Sequence, residues 1–281
     1  MEFYEKEPIS LYLNELIVLE KFFSQKQEIA LYKHPWLGKI LIINGEIQHI
    51  ELFQSLYHEL LVHLPASFVP NIENVLILGG GSLFAAFEIL KYTSVKNVTL
   101  CDYDNSVLSL MEQYYEHAKK VTSDYRFHYI EKDANEYIVH CKDKYDLIVN
   151  DCFNLAERSN TTGVSYFNLL KQLCTANGAC VDIIYRHIFD RQITLDTLSY
   201  LSKEKNTAFS LVTVPEYPGI LHIETIWGNS SYISQMCRKP VNLFQLECLL
   251  NNSNDIFKYY NPDNLPFYLY LPPYIKEKFN L

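Results

Sequence analysis

Between Asn74 and Asp104 the chain reads apolar run, glycine turn, amphipathic segment, apolar run, acid, and few folds accommodate that order. Val75-Leu76-Ile77-Leu78 lacks polar alternation, as a parallel strand covered on both faces does. It ends in Gly79-Gly80-Gly81, and Ser82 to Tyr92 follows with helical spacing. A second run, Val98-Thr99-Leu100-Cys101, delivers Asp102 roughly twenty residues after the glycines. At that place a carboxylate accepts hydrogen bonds from both ribose hydroxyls, and the glycines let the backbone approach the nucleoside closely. Phe84 stands where a dinucleotide fingerprint needs its third glycine, and nothing marks a pyrophosphate site. The pattern suits a nucleoside without phosphates, of the S-adenosylmethionine class.

The flanking sequence sets this unit in a larger sheet. Phe127 to Ile130 and Tyr145 to Val149 read as further strands, so Asp102, Asp133 and Asp151 are expected at the carboxyl ends of three parallel strands. In open α/β sheets that rim is the ligand edge. A helix is expected over 164–176, a strand over 179–184, and an antiparallel pair over 209–214 and 220–227. Upstream, Ile29 to Tyr32 and Lys39 to Ile43 form a hairpin, Asn44-Gly45 a type I′ turn, and Phe53 to Leu64 a linking helix ended by Pro65. The expected fold is α/β, a doubly wound Rossmann-like sheet of the S-adenosylmethionine-dependent transferase type. A small antiparallel β domain with its helix occupies 1–66, and the nucleoside-binding domain 67–281.

Bulk properties narrow the partners. A net charge of -9 argues against nucleic acid, which needs a Lys/Arg excess, whereas a cationic substrate is compatible with it. Seven cysteines at irregular spacing without C-x-x-C argue against a disulfide framework or zinc site, and no metal is expected. The start, Met1-Glu2-Phe3-Tyr4-Glu5, lacks signal-peptide order and no apolar run approaches a membrane span. A cytoplasmic protein without membrane attachment is the expectation.

Several patches resemble, in order, the spermidine synthase family of polyamine aminopropyltransferases. They are Gln27-x-Ile29, Gly38-x-x-Leu41-x-x-Asn44-Gly45-x-x-Gln48, Tyr57-His58-Glu59-Leu60-x-x-His63, the glycine strand, and Tyr145-Asp146-x-Ile148-x-x-Asp151. Pro215-x-Tyr217-Pro218-Gly219, Tyr259-Tyr260-Asn261-Pro262 and Leu271-Pro272 complete the series. The resemblance implies a donor site for S-adenosylmethionine or its decarboxylated form, built from Gln27, His58, Gly79, Gly80, Gly81, Ser82, Asp102, Tyr103, Asp133 and Ala134. It implies Asp151 as catalytic aspartate and donor contact, Tyr57 beside it, and Tyr57, Asn154 and Tyr217 facing the acceptor. It also implies a homo-oligomer. Chain transfer from a sulfonium needs an electron pair aimed along the breaking C–S bond, and an amine acceptor must also lose a proton.

Departures from the family pattern matter as much. Ser82 stands where the family has an Asp for the donor's amino group, Asn154 replaces the second Asp of its loop, Phe53-Gln54 replace an Asp-Glu pair, and Ile183 a Gln. A carboxylate near the donor chain repels the carboxylate of intact S-adenosylmethionine by on the order of 4 kcal/mol at 4 Å and an effective dielectric of 20. Serine removes that repulsion. The expected reaction is transfer of a 3-amino-3-carboxypropyl or aminopropyl group to a non-putrescine acceptor, a small molecule or modified peptide such as a peptide-nucleotide antibiotic precursor. Methylthioadenosine is the by-product. An ordinary spermidine synthase, a methyltransferase on the same fold, and a non-catalytic partner subunit are the competing readings.

Overall fold

A computed structural model describes residues 3–4, 11–152, 163–186, 198–218, 222–235, 239–242, 246 and 257–279. Two short strands, β1 (Phe3–Tyr4) and β2 (Tyr12–Leu13), pair antiparallel. A four-stranded antiparallel sheet follows in the order β3 (Ile17–Phe23), β4 (Glu28–His34), β5 (Gly38–Ile43), β6 (Glu46–Ile50). Asn44 and Gly45 both have positive φ, 52° and 78°, as a type I′ turn requires. Sequence reading missed β3 because Ile17-Val18-Leu19-Glu20-Lys21 does not alternate; it is an edge strand with Ile17 60% and Phe23 77% exposed.

Helix α1 (Gln54–Ala66) leads into the large sheet. Pro65 was expected to end it but lies within its last turn, where the Ser67 N–H takes up the His63 and Leu64 carbonyls. The seven-stranded sheet contains β7 (Asn74–Gly79), β8 (Asn97–Asp102), β9 (Phe127–Glu131), β10 (Tyr145–Asp151), β11 (Cys174–Arg186), β12 (Thr207–Val212) and β13 (His222–Gly228), in spatial order β12-β13-β11-β10-β7-β8-β9. From β11 to β9 the strands are parallel; β13 and β12 close the edge antiparallel. The chain runs from β7 outward to β9 and then returns to β10 on the other side of β7, so the strand order reverses between β7 and β10. A crevice at such a point is where an open α/β sheet takes its ligand.

Two apolar layers sandwich the sheet. Leu61, Leu64, Ala85, Ile89 and Met111 pack with Val75, Ile77 and Val149 on one face, and Ile138, Tyr166, Phe167 and Leu170 with Leu76, Ile148 and Trp227 on the other. The expected helix after the glycines is shorter, α2 (Phe84–Ile89), because Leu83 adopts φ 65° and closes a turn onto the Gly80 carbonyl first. Between β8 and β9 stand two helices, α3 (Asn105–Tyr114) and α4 (Glu116–Ser123), separated at extended Tyr115. Likewise the expected 164–176 helix spans Gly163–Leu173, and Cys174 to Ala176 already belong to β11.

Candidate active site

Strand register brings the carboxylates together. Asp151 lies beside Gly79 at the end of β10, Asp102 ends β8, and Asp133 follows β9 as N-cap of α5 (Ala134–His140). All three line one cavity of about 350 Å³. Gly79 and Gly80 have φ 73° and 74°, a region that favours glycine. A Cβ on Gly79 would stand 2.9 Å from the Asp151 carbonyl, and one on Gly80 3.0 Å from Asp151 Oδ2, so any side chain there would crowd the crevice.

The nucleoside end is held by backbone donors. Asp102 Oδ2 accepts the Gly81 N–H at 3.1 Å and Oδ1 the Asp104 N–H at 2.9 Å. Burial pushes this carboxyl up, against those amide bonds. Asp133 Oδ1 accepts the Asn135 N–H at 2.8 Å and the Glu136 N–H at 3.3 Å while its side chain borders the cavity beside Ala134. Asp133 thus caps α5 and still borders the cavity. From the small sheet, Gln27 reaches across, and its Oε1 accepts the Tyr103 hydroxyl. Ser82 also lines the cavity, and its carbonyl faces His117 Nε2 at 3.0 Å.

At the crevice centre, the Tyr57 hydroxyl donates to Asp151 Oδ1 at 3.0 Å. Burial and the neighbouring Asp151 hold Tyr57 well above its ordinary range, so it stays a donor. Burial pushes Asp151 up to about 7, with the Tyr57 bond working downward and the Asp102 charge upward. His58 Nδ1 lies 3.0 Å from the Gln54 carbonyl and therefore carries the proton; Nε2 faces Asp151 Oδ2 at 4.0 Å. Burial lowers His58 to about 4, so near neutrality the imidazole is uncharged and this contact is not an ion pair.

Adjacent family-like residues turn out to be scaffolding. Glu59 accepts the N–H groups of Lys258, Tyr259 and Tyr260 at 2.9, 2.7 and 2.7 Å, which explains why the Tyr-His-Glu and Tyr-Tyr-Asn-Pro patches occur together. Asp146 takes the Glu73 and Asn74 amides at 2.9 and 3.0 Å. Tyr217 lines the cavity and donates its hydroxyl to the Ile47 carbonyl at 2.9 Å, tying the loop after β12 to the small sheet. Asn154, expected at the acceptor side, lies outside the described residues.

Sequence reasoning missed Asp182 on β11, Glu216 beside Tyr217, and His49 on β6, all buried in the same lining. Each had a faint signal: Asp182 interrupts an apolar strand, Glu216 sits between Pro215 and a candidate, and His49 follows Gln48. Among its described residues the lining holds carboxylates but neither Lys nor Arg. The described residues include no group of three His, Cys, Asp or Glu placed to hold a metal, and no helix among them is long and apolar enough to cross a membrane.

Comparison with known proteins agrees with this arrangement. Residues 54–236 match the spermine/spermidine synthase domain. The chain is 27% identical over 288 residues to the polyamine aminopropyltransferase of Buchnera aphidicola subsp. Acyrthosiphon pisum (strain APS), covering 98% of this chain and 96% of that one. It is 33% identical over 173 residues to thermospermine synthase ACAULIS5 of Arabidopsis thaliana, covering 58% and 50%. A spermidine synthase crystallised with the transition-state analogue AdoDATO has a TM-score of 0.83 at 22% identity, covering 99% of this chain and 94% of that one. The Thermotoga maritima spermidine synthase gives 0.81 at 23%, covering 99% and 93%. At such identities the two structures speak for the fold, which is the α/β sheet with a small antiparallel domain expected above. With most of its length matched, the chain belongs to the spermine/spermidine synthase family and is an enzyme of the aminopropyltransferase type.

Proposed function

We propose that the enzyme moves an aminopropyl chain from decarboxylated S-adenosylmethionine to a cationic amine, releasing methylthioadenosine. The observation that carries this reading is the Tyr57–Asp151 hydrogen bond at the switch point, in a cavity whose described lining has carboxylates and no Lys or Arg. The attacking nitrogen must be neutral. Its lone pair forms the new N–C bond as the C–S pair returns to sulfur, which loses its positive charge, and the nitrogen's proton passes to Asp151 Oδ2. A carboxyl raised to about 7 is matched to that task near neutral pH, and Tyr57, bonded to the other oxygen, fixes its direction. Gln27, Asp102 and Asp133 would hold the nucleoside while the alignment itself supplies much of the rate.

The acidic lining weighs against a phosphate-bearing acceptor such as a peptide-nucleotide precursor. Each carboxylate within 4 Å of a phosphate would cost on the order of 4 kcal/mol at an effective dielectric of 20. A second reading keeps intact S-adenosylmethionine as donor, with 3-amino-3-carboxypropyl transfer to a non-putrescine acceptor such as a peptide-nucleotide precursor. Ser82, a hydroxyl rather than a carboxylate beside the glycine turn, favours it. Incubation of the purified protein with each donor and a panel of amines, followed by mass spectrometry, separates the readings. An amine heavier by one aminopropyl unit, formed only from the decarboxylated donor, is expected. A carboxyl-bearing product from intact donor would replace the first reading by the second, and S-adenosylhomocysteine would make the protein a methyltransferase.

A further inference from the structure

The turn between β3 and β4 is bonded to the loop that carries Asp102. Ser24 Oγ donates to Asp104 Oδ2 at 2.6 Å and accepts the Lys26 and Gln27 N–H groups, each at 3.0 Å. One hydroxyl thus shapes its own turn and ties it to the large sheet. Gln27 follows with its side chain: Oε1 accepts the Tyr103 hydroxyl, and the amide lies against the Asp104 carboxylate. Lys26 braces the same loop from outside, donating to the Tyr103 carbonyl and to Glu131 Oε1 at 3.0 Å. Asp104 is the hub. Only 3% exposed, it takes Ser24 on Oδ2 and, as N-cap of α3, the Ser106 N–H on Oδ1 at 3.0 Å. Its own N–H is one of the backbone donors that hold Asp102, at 2.9 Å on Oδ1. A buried carboxylate without partners is costly, so Asp104 stays where Ser24 and the helix end satisfy it.

We infer that Asp104 and Ser24 are positioning residues for the donor nucleoside: their bond fixes the loop whose N–H groups aim the Asp102 carboxylate at the ribose hydroxyls. This rests on the donor reading given above, and it adds the device that orients the ribose contact. The small sheet therefore takes part in nucleoside recognition through a residue that does not line the cavity, since Asp104 stands behind Asp102 and outside the lining. The two oxygens of Asp104 have separate tasks. Oδ1 caps α3, a bond local in sequence, whereas Oδ2 meets a side chain from the other sheet. Loss of the Ser24 hydroxyl leaves the cap in place and releases the loop from the turn. Alignment of a pre-aimed acceptor is lost without loss of the helix, and the effect should appear only with a ligand that has hydroxyls for Asp102 to hold.

The test is a cycle of protein and ligand changes, read by calorimetry on the whole chain. Methylthioadenosine and its 2′,3′-dideoxy analogue differ only in the hydroxyls assigned to Asp102. The wild-type enzyme is expected to bind the dideoxy compound roughly a hundredfold more weakly. Ser24→Ala should weaken methylthioadenosine about tenfold and leave the dideoxy analogue within about twofold, because the two changes remove the same interaction. Ser24→Thr, which restores a hydroxyl, should recover most of the loss. Asp104→Asn keeps an oxygen for the Ser106 N–H and should match Ser24→Ala. If circular dichroism shows either variant unfolded, Lys26→Met, which releases the same loop from an exposed side chain, should give a smaller loss with the same selectivity. Folded variants that weaken both nucleosides equally, or neither, would overturn the positioning role while leaving the donor site intact. A wild-type enzyme that binds neither nucleoside would overturn both.

Discussion

The two ends of the cavity are built on opposite principles. At the nucleoside end the carboxylates of Asp102 and Asp133 are already bonded to backbone N–H groups, which fixes their direction before any ligand arrives. At the other end Glu216 has one bare oxygen, and Glu224, outside the lining on β13, has two. The first end is preorganised, since its carboxylates are held in place without a ligand. The second is left short of a positive charge, and the difference means that donor binding and acceptor binding should respond separately to mutation and pH.

Five measurements would sharpen or break that contrast. The largest effect is expected at the junction: Asp151→Asn should lower kcat by about a hundred- to ten-thousandfold, the range for a lost general base, in a single-turnover assay. Asp102→Asn is next, raising the donor dissociation constant roughly ten- to hundredfold by calorimetry while leaving the acceptor KM within about twofold. If that KM moved as far, the two ends would not be separable.

The pH dependence is smaller, about tenfold per pH unit at most for a single group. The free-enzyme kcat/KM should rise with pH and level off above about 7, the value to which burial raises Asp151. For stability the sign is reversed. Asp151, Asp182, Glu216 and Glu224 have folded values above their unfolded ones, so the native state holds protons that the unfolded chain releases. Their contribution is fully present below about pH 4 and is lost as pH rises through 7 to 8. Below pH 7 the buried imidazoles of His49, His58, His63 and His117, whose protonation burial opposes, act in the other direction, so a melting temperature that climbs from pH 7 to 8 in the absence of amine would contradict this. The smallest effect is expected for Tyr57→Phe, about tenfold in kcat, because Asp151 keeps its place beside Gly79 and loses one bond.

Legibility in the sequence followed the same division. The placement of the glycine turn and Asp102 on one rim was readable because backbone geometry constrains it: a glycine turn after an apolar strand and an acid after the next strand have few structural meanings. Asp151 was readable for the same reason, as the last residue of an apolar run. Asp182 and Glu216 were not, since a buried acid inside a strand or loop carries no periodic signature, and its neighbours in space, Asn150 and Ile50, are far away in sequence. The edge strand β3 escaped because its exposed apolar side chains spoil the alternation. Leu83 shortened a helix that periodicity alone would have drawn longer, and the left-handed turn it makes is what places Ser82 at the cavity wall.

The most direct trial of the central claim is a crystal structure of the enzyme with methylthioadenosine and putrescine bound together. The account expects ribose hydroxyls within about 3 Å of Asp102, adenine beside Asp133 and one putrescine nitrogen at Asp151. Nucleoside and diamine in separate cavities, or a diamine turned so that no nitrogen meets Asp151, would contradict it.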